Sequence, residues 1–380
     1  MKKILIVNQS ANYLMVDIAR SFIRSGKYEK VCLLVGNPKG VTDAEEKGFE
    51  VKSMYPYNKK SILTRFHSWV LGTIQIIWKV KRQYNDFDLF LVSNPPTIHF
   101  LPYLCKNKFA SLVYDVYPDG IVSGGFVTRK NWIFKIWSKA ARNFFSKAES
   151  IYAISEGIAN TVSLYCERNK ISVVPLWANN DILKVEKTEN PFITEHKLYD
   201  KFVILYSGNI GKGSNIGVLI RLAEKMQRYK DIKFVIIGEG MEKVLVEKAI
   251  VEQRLDNILL LPYQPLNTLS NSLSSADLAY VSVERKAANV CIPSKTFNLL
   301  NVEVPLICIA NPEAEIWKMV ERNSIGEVFQ PDKIEDIETF ILEMKNNKIQ
   351  YDLYRKNVGN LKQKYTSTNA DKFLSYDKGC

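Results

Sequence analysis

Short runs of β-branched and aliphatic residues alternate with longer amphipathic stretches along the whole chain. In the first half, the predicted strands are 4–7, 31–35, 89–93, 112–115, 151–154 and 173–175. The alternation restarts later, with predicted strands at 202–206, 234–237, 258–261, 278–281, 306–309 and 326–329. Runs that are apolar throughout are buried on both faces, and parallel strands need helical crossovers. The sequence therefore predicts an α/β protein with two parallel sheets in series.

The boundary between the two sheets is predicted in residues 178–201, which are polar, contain a proline and lack strand periodicity. A chain of 380 residues suits two domains at about 150 residues per domain. We expect the first domain at 1–180 and the second at 200–350. The tail, 351–380, is predicted to be helical, with a break near 366–369 where Ser, Thr and Asn can start a new helix.

The positive charge of the chain is confined to its first half. Lys and Arg number 52 against 40 Asp and Glu, which gives a net charge of +12. Residues 1–185 contain 26 basic and 14 acidic side chains, whereas residues 186–380 contain 26 of each. The first half is therefore expected to meet an anionic surface or ligand. The six cysteines show no CxxC spacing, so we expect a reducing compartment and no metal site.

Two glycine-rich turns follow predicted strands of the second half. The first, YSGNIGKGSN, contains Gly208, Asn209, Gly211 and Lys212, and a predicted helix follows it. The second, FVIIGEGMEK, contains Gly238, Glu239 and Gly240. Free N–H groups at a helix N-terminus and glycines that admit a close ligand can form a phosphate site. A tight turn that needs glycine only for its geometry is an equal alternative for the first motif.

A lysine in the first turn of a predicted helix marks a third motif, CIPSKTFNLL. Pro293 and Ser294 form a good helix start, and Lys295 follows directly. A cation at this position opposes the helix dipole, so it is best explained by a nearby anion such as a phosphate. The alternative is a solvent-facing lysine.

These motifs, in this order, resemble the retaining glycosyltransferases of family 4, which have the GT-B fold of two Rossmann-like domains with an interdomain cleft. In the first half VSNPPTIHF, VYDVYPDG, IYAISEGIANTV and VVPLWANND look like the acceptor domain of the capsule and colanic-acid branch. The resemblance implies a nucleotide-sugar donor, with a UDP-sugar expected, and no other cofactor. It also implies a saccharide or polyprenyl-diphosphate-linked acceptor, transfer of a hexosyl or acetamidosugar group, and terminal helices that cross back to the first domain.

The donor site implied by this resemblance lies in the second domain. The loop 208–213 with Ser294 and Lys295 would hold the diphosphate, Tyr263 would flank the base, and Arg285 or Lys286 could add a charge. Many members have Arg and Lys where this chain has Asn209 and Ser214. Many also have a Glu pair where this chain has Val290 and Asn298. Asn298 can hydrogen-bond a ribose hydroxyl but cannot supply a carboxylate.

Asp115 and Asp119, in VYDVYPDG, are the predicted catalytic residues. They follow a buried strand, and many members of the family use a His or Asp near this point to contact the sugar or acceptor. The alternative is capping of a turn, which Asp before Pro and Gly often does. Glu156 is instead interpreted as a first-turn helix residue, and His99 as a packing or capping residue.

Two segments of the first half, 61–84 and 128–149, mix aromatic and basic residues. In the second, Ile133, Ile136, Trp137, Ala140, Ala141 and Phe144 recur at helical spacing. Such helices suit an anionic lipid surface, whereas burial of the stripe in the core is the alternative for either helix alone. The segment MKKILIVNQSAN is too weakly apolar for a signal peptide. We therefore expect a cytoplasmic protein that is peripheral on the inner face of the cell membrane.

Three other functions remain open at this stage. A nucleotide-sugar 2-epimerase of the same fold is one, although three histidines are few for its chemistry. A basic nucleic-acid-binding protein is another, but no RRM, KH or zinc-finger pattern is present and no nucleic-acid partner is expected. An inactive scaffold is the third, because Asn298 replaces a carboxylate.

Overall fold

The computed structural model describes residues 2–37, 41, 48–58, 60–123, 127–284 and 292–377. The chain forms two compact units, the first made of Met1–Leu176 and Ser367–Cys380, the second of Trp177–Thr366. The second unit thus begins a few residues before the boundary predicted at 180. Only the part of the tail after Thr366 joins the first unit, whereas the sequence predicts a crossing segment that starts at 351.

The first unit is built on a parallel sheet of seven strands in the order β3-β2-β1-β4-β5-β6-β7. The strands are β1 Lys2–Asn8, β2 Tyr28–Val35, β3 Glu50–Ser53, β4 Asp88–Val92, β5 Phe109–Val113, β6 Ser150–Ala153 and β7 Ile171–Val173. Every strand predicted for this half overlaps one of them. The sequence does not predict β3, because this edge strand reads EVKS and is mostly exposed.

Five α-helices of the first unit lie among the described residues: α1 Tyr13–Arg24, α2 Ile62–Gln83, α3 Asp119–Ser123, α4 Trp132–Lys147 and α5 Glu156–Val162. Polar side chains fix their starts. Ser61 and Thr64 form a capping box at α2, and Asn131 accepts the N–H of Ile133 at α4. A 3₁₀ helix, Pro96–Tyr103, lies under both α2 and α4.

The second unit has a parallel six-stranded sheet in the order β10-β9-β8-β11-β12-β13. Its strands are β8 Phe202–Ser207, β9 Ile232–Ile237, β10 Ile258–Leu261, β11 Leu278–Ser282, β12 Leu306–Ile309 and β13 Gly326–Phe329. Its described helices are α6 Pro191–Glu195, α7 Ile216–Lys225, α8 Lys243–Glu252, α9 Leu269–Ser274, α10 Ser294–Asn301, α11 Glu315–Asn323, α12 Ile334–Asn346 and α13 Lys348–Lys362. All six predicted strands are present.

Both sheets reverse their strand order once, between β1 and β4 in the first and between β8 and β11 in the second. Open α/β sheets bind ligands beyond the carboxyl ends of the strands at such a switch point. In the second unit, the two glycine-rich turns follow β8 and β9, on one side of this point. In the first unit, Asp115 follows β5, beside the strand at the switch point.

Helix α13 packs within the second unit, which corrects the predicted extent of the crossing segment. The Tyr351 hydroxyl donates to Asp277 O at 3.2 Å, and Lys362 pairs with Glu303 at 2.6 Å. The 3₁₀ helix Ser367–Asp377 belongs to the first unit. Its Phe373 packs edge-on against Phe90 and Tyr152 in the core of that unit.

Candidate functional site

The two glycine-rich turns of the second unit are joined to each other by backbone hydrogen bonds. Gly208 N–H donates to Ile237 O at 2.9 Å, and Ile210 N–H donates to Glu239 O at 2.8 Å. In return, Glu242 N–H donates to Ile210 O at 2.9 Å. Two motifs separated by about thirty residues of sequence therefore form one rigid platform at the carboxyl ends of β8 and β9.

Gly238 and Gly240 are glycines because this platform leaves no room for a side chain. Their φ angles are +152° and +155°. A Cβ on Gly238 would lie 1.9 Å from Gly208 O, and a Cβ on Gly240 would lie 2.3 Å from Ile210 O. These close contacts with backbone oxygens explain why both residues are glycine. The glycines of the second motif are therefore required by the geometry of the turns, without a ligand.

Gly208 is different, because its open side faces a cation. A Cβ there would meet Lys295 Nζ at 3.5 Å as its nearest atom, and its φ is +151°. The Lys295 ammonium also lies 3.9 Å from the centroid of the Tyr206 ring, a cation–π contact. The structure thus brings the first and third sequence motifs together at one point.

Lys295 is the electrostatic centre of this group. It stands in the first turn of α10, and burial lowers its pKa to about 7. Among the described residues no carboxylate lies within ion-pair distance of its ammonium. A lysine that is desolvated and opposed to a helix dipole is suited to an incoming anion. Ser294, the first residue of α10, is exposed beside it.

The segment that leads into α7 supplies the exposed polar part of the site. Asn209 and Lys212 are exposed, Gly211 is partly buried, and the 3₁₀ turn Lys212–Ser214 ends at Asn215 in the left-handed region. Asn215 Nδ2 donates to Ser282 Oγ at 2.6 Å, and Ser282 Oγ donates to Gly213 O at 3.1 Å. These bonds hold the loop across the switch point between β8 and β11.

Tyr263 and Glu239 lie at the outer edge of the platform. The Tyr263 hydroxyl donates to Glu239 O at 3.5 Å, and its ring is half exposed. The Glu239 carboxylate pairs with Lys243 at 2.9 Å. The ring of Tyr263 is thus available for stacking, whereas the Glu239 charge is already balanced.

Asn298 is placed differently from the other predicted donor-binding residues. Its Oδ1 accepts the backbone N–H of Asn179 at 3.0 Å, and Asn301 Nδ2 donates to Ile182 O at 2.5 Å. Both residues of α10 therefore hold the segment that precedes the second sheet. The Asn298 amide N–H groups and one lone pair of its Oδ1 remain for a ribose. Arg285, with Lys286 and Val290, lies outside the described residues.

Asp115 stands in the first unit beside a group of aromatic rings. The N–H groups of Tyr114 and Asp115 donate to Ser93 Oγ at 3.0 and 3.3 Å. Its carboxyl is exposed, yet desolvation by the surrounding protein raises its pKa. Burial raises the pKa values of Tyr57 and Tyr117, and the Asp115 charge raises both further. Asp115 is thus a poorly solvated carboxyl without a cationic partner among the described residues.

Asp119 has the contacts of a structural residue. It is buried at the start of α3, where Arg129 pairs with its Oδ1 at 2.9 Å and the Tyr165 hydroxyl donates to its Oδ2. Both carboxylate oxygens therefore have protein partners. The predicted catalytic role of Asp119 stays a prediction, but these side-chain contacts favour a structural role.

His99 and Glu156 have the non-catalytic environments that the sequence suggests. His99 Nδ1 accepts from Trp137 Nε1 at 3.2 Å in a cluster with Phe144 and Phe145, and burial lowers the His99 pKa to about 3. Glu156 is the first residue of α5 and pairs with Arg168 at 2.7 Å. His99 is therefore neutral and part of the core.

Three residues near the site were missed by sequence reasoning: Tyr206, Asn215 and Ser282. Tyr206 ends a buried strand and looks like a core residue, but its ring is the platform for Lys295 and its hydroxyl donates to Asn209 O at 2.6 Å. Ser282 could have been found as the polar residue that ends β11 at the switch point. Nothing local in the sequence indicates the left-handed Asn215.

The described part of the chain contains neither a cluster of metal ligands nor a membrane-spanning helix. No group of three His, Cys, Asp or Glu side chains there is arranged to hold a metal ion. None of the helices in those same ranges is both long and apolar enough to cross a bilayer.

Comparisons with known proteins find a family match within the second unit and two relatives of the chain. Residues 187–361 match the family described as Glycosyl transferases group 1. WbjE of Pseudomonas aeruginosa, named as a glycosyltransferase, is 21% identical over 276 residues, which are 71% of this chain and 69% of WbjE. WcaI of Escherichia coli strain K12, named as a colanic acid biosynthesis glycosyl transferase, is 31% identical over 137 residues, 36% of this chain and 33% of WcaI.

The fold is shared with solved structures of much lower identity. The crystal structure of HepE from Anabaena in complex with UDP-glucose superposes with a TM-score of 0.74 and 10% identity. The superposition covers 100% of this chain and 99% of that chain. This likeness shows the GT-B fold of two Rossmann-like units. The family match and the two relatives support a glycosyltransferase.

Proposed function

Since residues 187–361 carry the glycosyltransferase group 1 match, we propose that the chain transfers a sugar from a UDP-sugar to a saccharide acceptor in surface polysaccharide biosynthesis. The acceptor is a lipid-linked saccharide, and the transferred group is a hexosyl or acetamidosugar. The enzyme works in the cytoplasm, peripheral on the inner face of the membrane. The HepE structures contain UDP and UDP-glucose, which supports uridine as the base.

One observation carries the proposal: a desolvated lysine without a carboxylate partner among the described residues faces a glycine at the switch point. Lys295 Nζ lies 3.5 Å from the Cβ position of Gly208, so the cation faces the backbone of the first glycine-rich turn. A diphosphate there would restore the charge balance that burial of Lys295 disturbs. The exposed Asn209 and Lys212 and the partly buried Gly211 supply further donors, and Tyr263 supplies an aromatic face.

The transfer itself requires little from the protein beyond binding. The bond from the sugar C1 to the diphosphate breaks, and the diphosphate takes both electrons. A bond from the acceptor oxygen to C1 forms, and the acceptor proton passes to the departing diphosphate. Lys295 stabilises the charge that develops on the diphosphate, which is the stage at which fixed cations accelerate such reactions most. In this scheme the configuration at C1 is retained.

Asp115 is assigned to the other substrate. Its raised pKa makes the carboxylate a strong hydrogen-bond acceptor, and the neighbouring Tyr57 and Tyr117 rings can pack on a sugar face. We assign it the role of accepting a hydrogen bond from a hydroxyl of the acceptor or the transferred sugar. Asp119 orders the segment that follows it through Arg129 and Tyr165.

The proposal is tested by a thermal-shift screen of UDP-, GDP- and dTDP-sugars against wild type and Lys295→Ala. A ligand of the native state raises Tm by mass action. We expect a UDP-sugar to stabilise wild type. Loss of a charge-assisted contact of about 1.5–3 kcal/mol should weaken its binding to Lys295→Ala roughly 10- to 150-fold. Lys348→Ala, an exposed lysine at the start of α13, is the matched control.

Three outcomes would contradict the proposal. Equal UDP-sugar affinity in wild type and Lys295→Ala would remove the diphosphate assignment. Interconversion of a UDP-sugar with its 2-epimer, without transfer, would favour the epimerase. Salt-dependent association with RNA, without stabilisation by any nucleotide sugar, would favour a nucleic-acid-binding protein.

A further inference from the structure

An apolar groove crosses the surface of the first unit between the two aromatic and basic helices. Its walls are formed by Phe66, Val70, Thr73, Ile74 and Ile77 of α2 and by Trp132, Ile133, Ile136 and Trp137 of α4, and its floor by Thr97 and Phe100. Its volume of 540 Å³ lies in the range of small-molecule sites, about 300–1,000 Å³. The groove forms because α2 and α4 both pack on the 3₁₀ helix Pro96–Tyr103.

The groove walls expose large apolar side chains that an ordinary soluble surface would bury. Ile74 is 57% exposed, Trp132 68% and Ile136 53%. The periodic stripe predicted on α4 therefore splits in two. Trp137, Ala140, Ala141 and Phe144 are in the core, whereas Ile133 and Ile136 face outward. A contiguous apolar patch of this kind marks a binding surface.

The hydroxyl groups of the groove are already paired with each other. Thr73 and Thr97 share a hydrogen bond of 2.6 Å, and Thr97 Oγ1 also donates to Trp69 O at 2.9 Å. The lining therefore offers an occupant carbon atoms and few polar partners. A saccharide would lose its hydrogen bonds with water on entering, whereas a hydrocarbon chain would lose none.

The positive charge of α2 and α4 indicates which head group the hydrocarbon chain would carry. α2 has four basic residues, α4 has four, and neither has an acidic one. Lys135 and Lys139 are exposed one turn after Trp132 and Ile136, and Lys81 follows Ile77 by one turn. Cations along both walls of an apolar groove are complementary to a phosphate at the end of a hydrocarbon chain.

The groove is also connected to the candidate carboxylate. Trp137 lines the groove and stacks on Tyr117, with 5.8 Å between ring centroids and 18° between ring planes. Tyr117 is two residues from Asp115, which lies close enough for its charge to raise the pKa of Tyr117, after the larger effect of burial. A chain in the groove would thus be separated from the Asp115 side by one pair of stacked rings.

We propose that this groove binds the hydrocarbon chain of a phosphate-bearing lipid whose head group carries the acceptor saccharide. The proposal rests on the proposed function for the identity of the saccharide, but not for binding of the chain. Charge and an apolar lining favour the lipid over a protein segment. A partner helix would fill the groove equally well, yet would have no need for two wall helices that carry basic residues and no acidic ones.

The test uses farnesyl diphosphate, a soluble molecule with an isoprenoid chain and a phosphate end, and the full-length protein in isothermal titration calorimetry. Ile74→Glu and Ile136→Glu place a carboxylate on opposite walls at positions that are more than half exposed, so both variants should fold. We expect each to weaken binding at least about tenfold. Ile349→Glu, at a residue of α13 that is 86% exposed, is the matched control and should bind as wild type does.

Each outcome decides for or against the groove. Equal affinity in wild type and both groove variants overturns the proposal, as does binding of inorganic pyrophosphate as tight as that of farnesyl diphosphate. Failure of wild type to bind farnesyl diphosphate also overturns it and leaves a protein partner as the occupant. Thermal shifts with the panel of UDP-sugars are measured on the same samples. The absence of a shift with every UDP-sugar would refute the proposed function while leaving the groove result intact.

Discussion

The two units share a doubly wound parallel sheet but differ in what surrounds it. The first unit carries 27 Lys and Arg against 15 Asp and Glu, whereas the second carries 25 of each. Helices α2 and α4 of the first unit have no acidic residue, while α12 of the second has four. The two units thus share the type of sheet and differ in the charge of their helix surfaces.

The turns beyond the strands differ in the same way. In the second unit, the turns after β8 and β9 are locked by backbone bonds and by glycines that admit no side chain. In the first, the equivalent end carries the exposed Asp115 beside the partly buried rings of Tyr57 and Tyr117. A locked backbone suits a ligand of constant shape, such as a diphosphate. Side chains on an open surface suit an acceptor that varies between relatives.

The largest expected effect is on turnover, from Asp115→Asn. Loss of one preorganised hydrogen-bonding group at the reacting centre costs about 10²- to 10³-fold in rate. We expect this loss in transfer from a UDP-sugar, with the UDP affinity unchanged, because Asp115 belongs to the first unit. Unchanged turnover, or an equal loss of nucleotide affinity, would contradict the assignment of donor binding to the second unit and of contact with the acceptor or sugar to the first. Asp119→Asn is the comparison variant and should lower Tm more than Asp115→Asn does.

The locked turns give the next largest effect, on stability. Gly238→Ala would place a Cβ 1.9 Å from Gly208 O at a φ of +152°. Overpacking of this kind costs about 1–3 kcal/mol and strained backbone about as much again. Urea unfolding should therefore show a loss of roughly 2–5 kcal/mol. Gly217→Ala, near the start of α7 with nothing within 4 Å, should instead stabilise by up to about 1 kcal/mol.

The charge difference between the units predicts a third, smaller effect. Changing Lys130, Lys135, Lys139 and Arg142 to Gln removes four exposed cations from the first unit. Each cation near an anionic leaflet contributes about 1 kcal/mol, so with two of the four in contact with the leaflet their loss weakens vesicle binding roughly 30-fold. Co-sedimentation with anionic and neutral vesicles at low salt measures this loss.

The control for this experiment makes the same charge change in the second unit. Lys248, Lys333, Lys348 and Lys356 are exposed, and their replacement by Gln should leave binding close to wild type. Equal losses in the two quadruple variants would show that net charge alone matters. A wild type that ignores both kinds of vesicle would refute membrane docking. Binding unchanged by the first set would move the surface to Arg65, Lys79, Lys81 and Arg82.

The smallest expected effect is a pH dependence of UDP-glucose affinity, which tests the role of Lys295. Burial lowers its pKa to about 7 in the free protein, and a bound diphosphate favours the charged form and raises that pKa. The complex therefore holds more protons than the free protein above pH 7, so affinity falls as pH rises. UDP-glucose should bind about tenfold more weakly at pH 8 than at pH 6. Lys295→Arg, which stays charged, should show no such slope.

The regular parts of both units could be predicted because their signals are local. Twelve of the thirteen strands follow from apolar runs, and β3 was missed because an edge strand with charged residues has no such run. The stripe on α4 was predicted as one surface. In the structure it is core near Phe144 and exposed at Ile133, because Ile133 and Ile136 line the apolar groove.

The candidate site was predicted less completely because its contacts are distant in sequence. Glycine at 238 is explained by Gly208, and the Asn298 side chain is occupied by the backbone of Asn179. Neither contact can be predicted from the residues next to Gly238 or Asn298 in the sequence. Lys295 was found because a cation at a helix N-terminus is unusual by itself, whereas its partner Tyr206 looked like any core residue.

The return of Ser367–Asp377 to the first unit affects the order in which the chain can be completed during synthesis. Ala178 N–H donates to Tyr365 O at 3.1 Å, so the first and last segments of the second unit are paired, and in sequence this unit is inserted into the first. All of the second unit is made before Phe373 can cover Phe90 and Tyr152. The first unit, although made first, is therefore the last to close its core. Until then a nascent chain exposes those two rings and the Ser21 and Arg24 partners of Asp371.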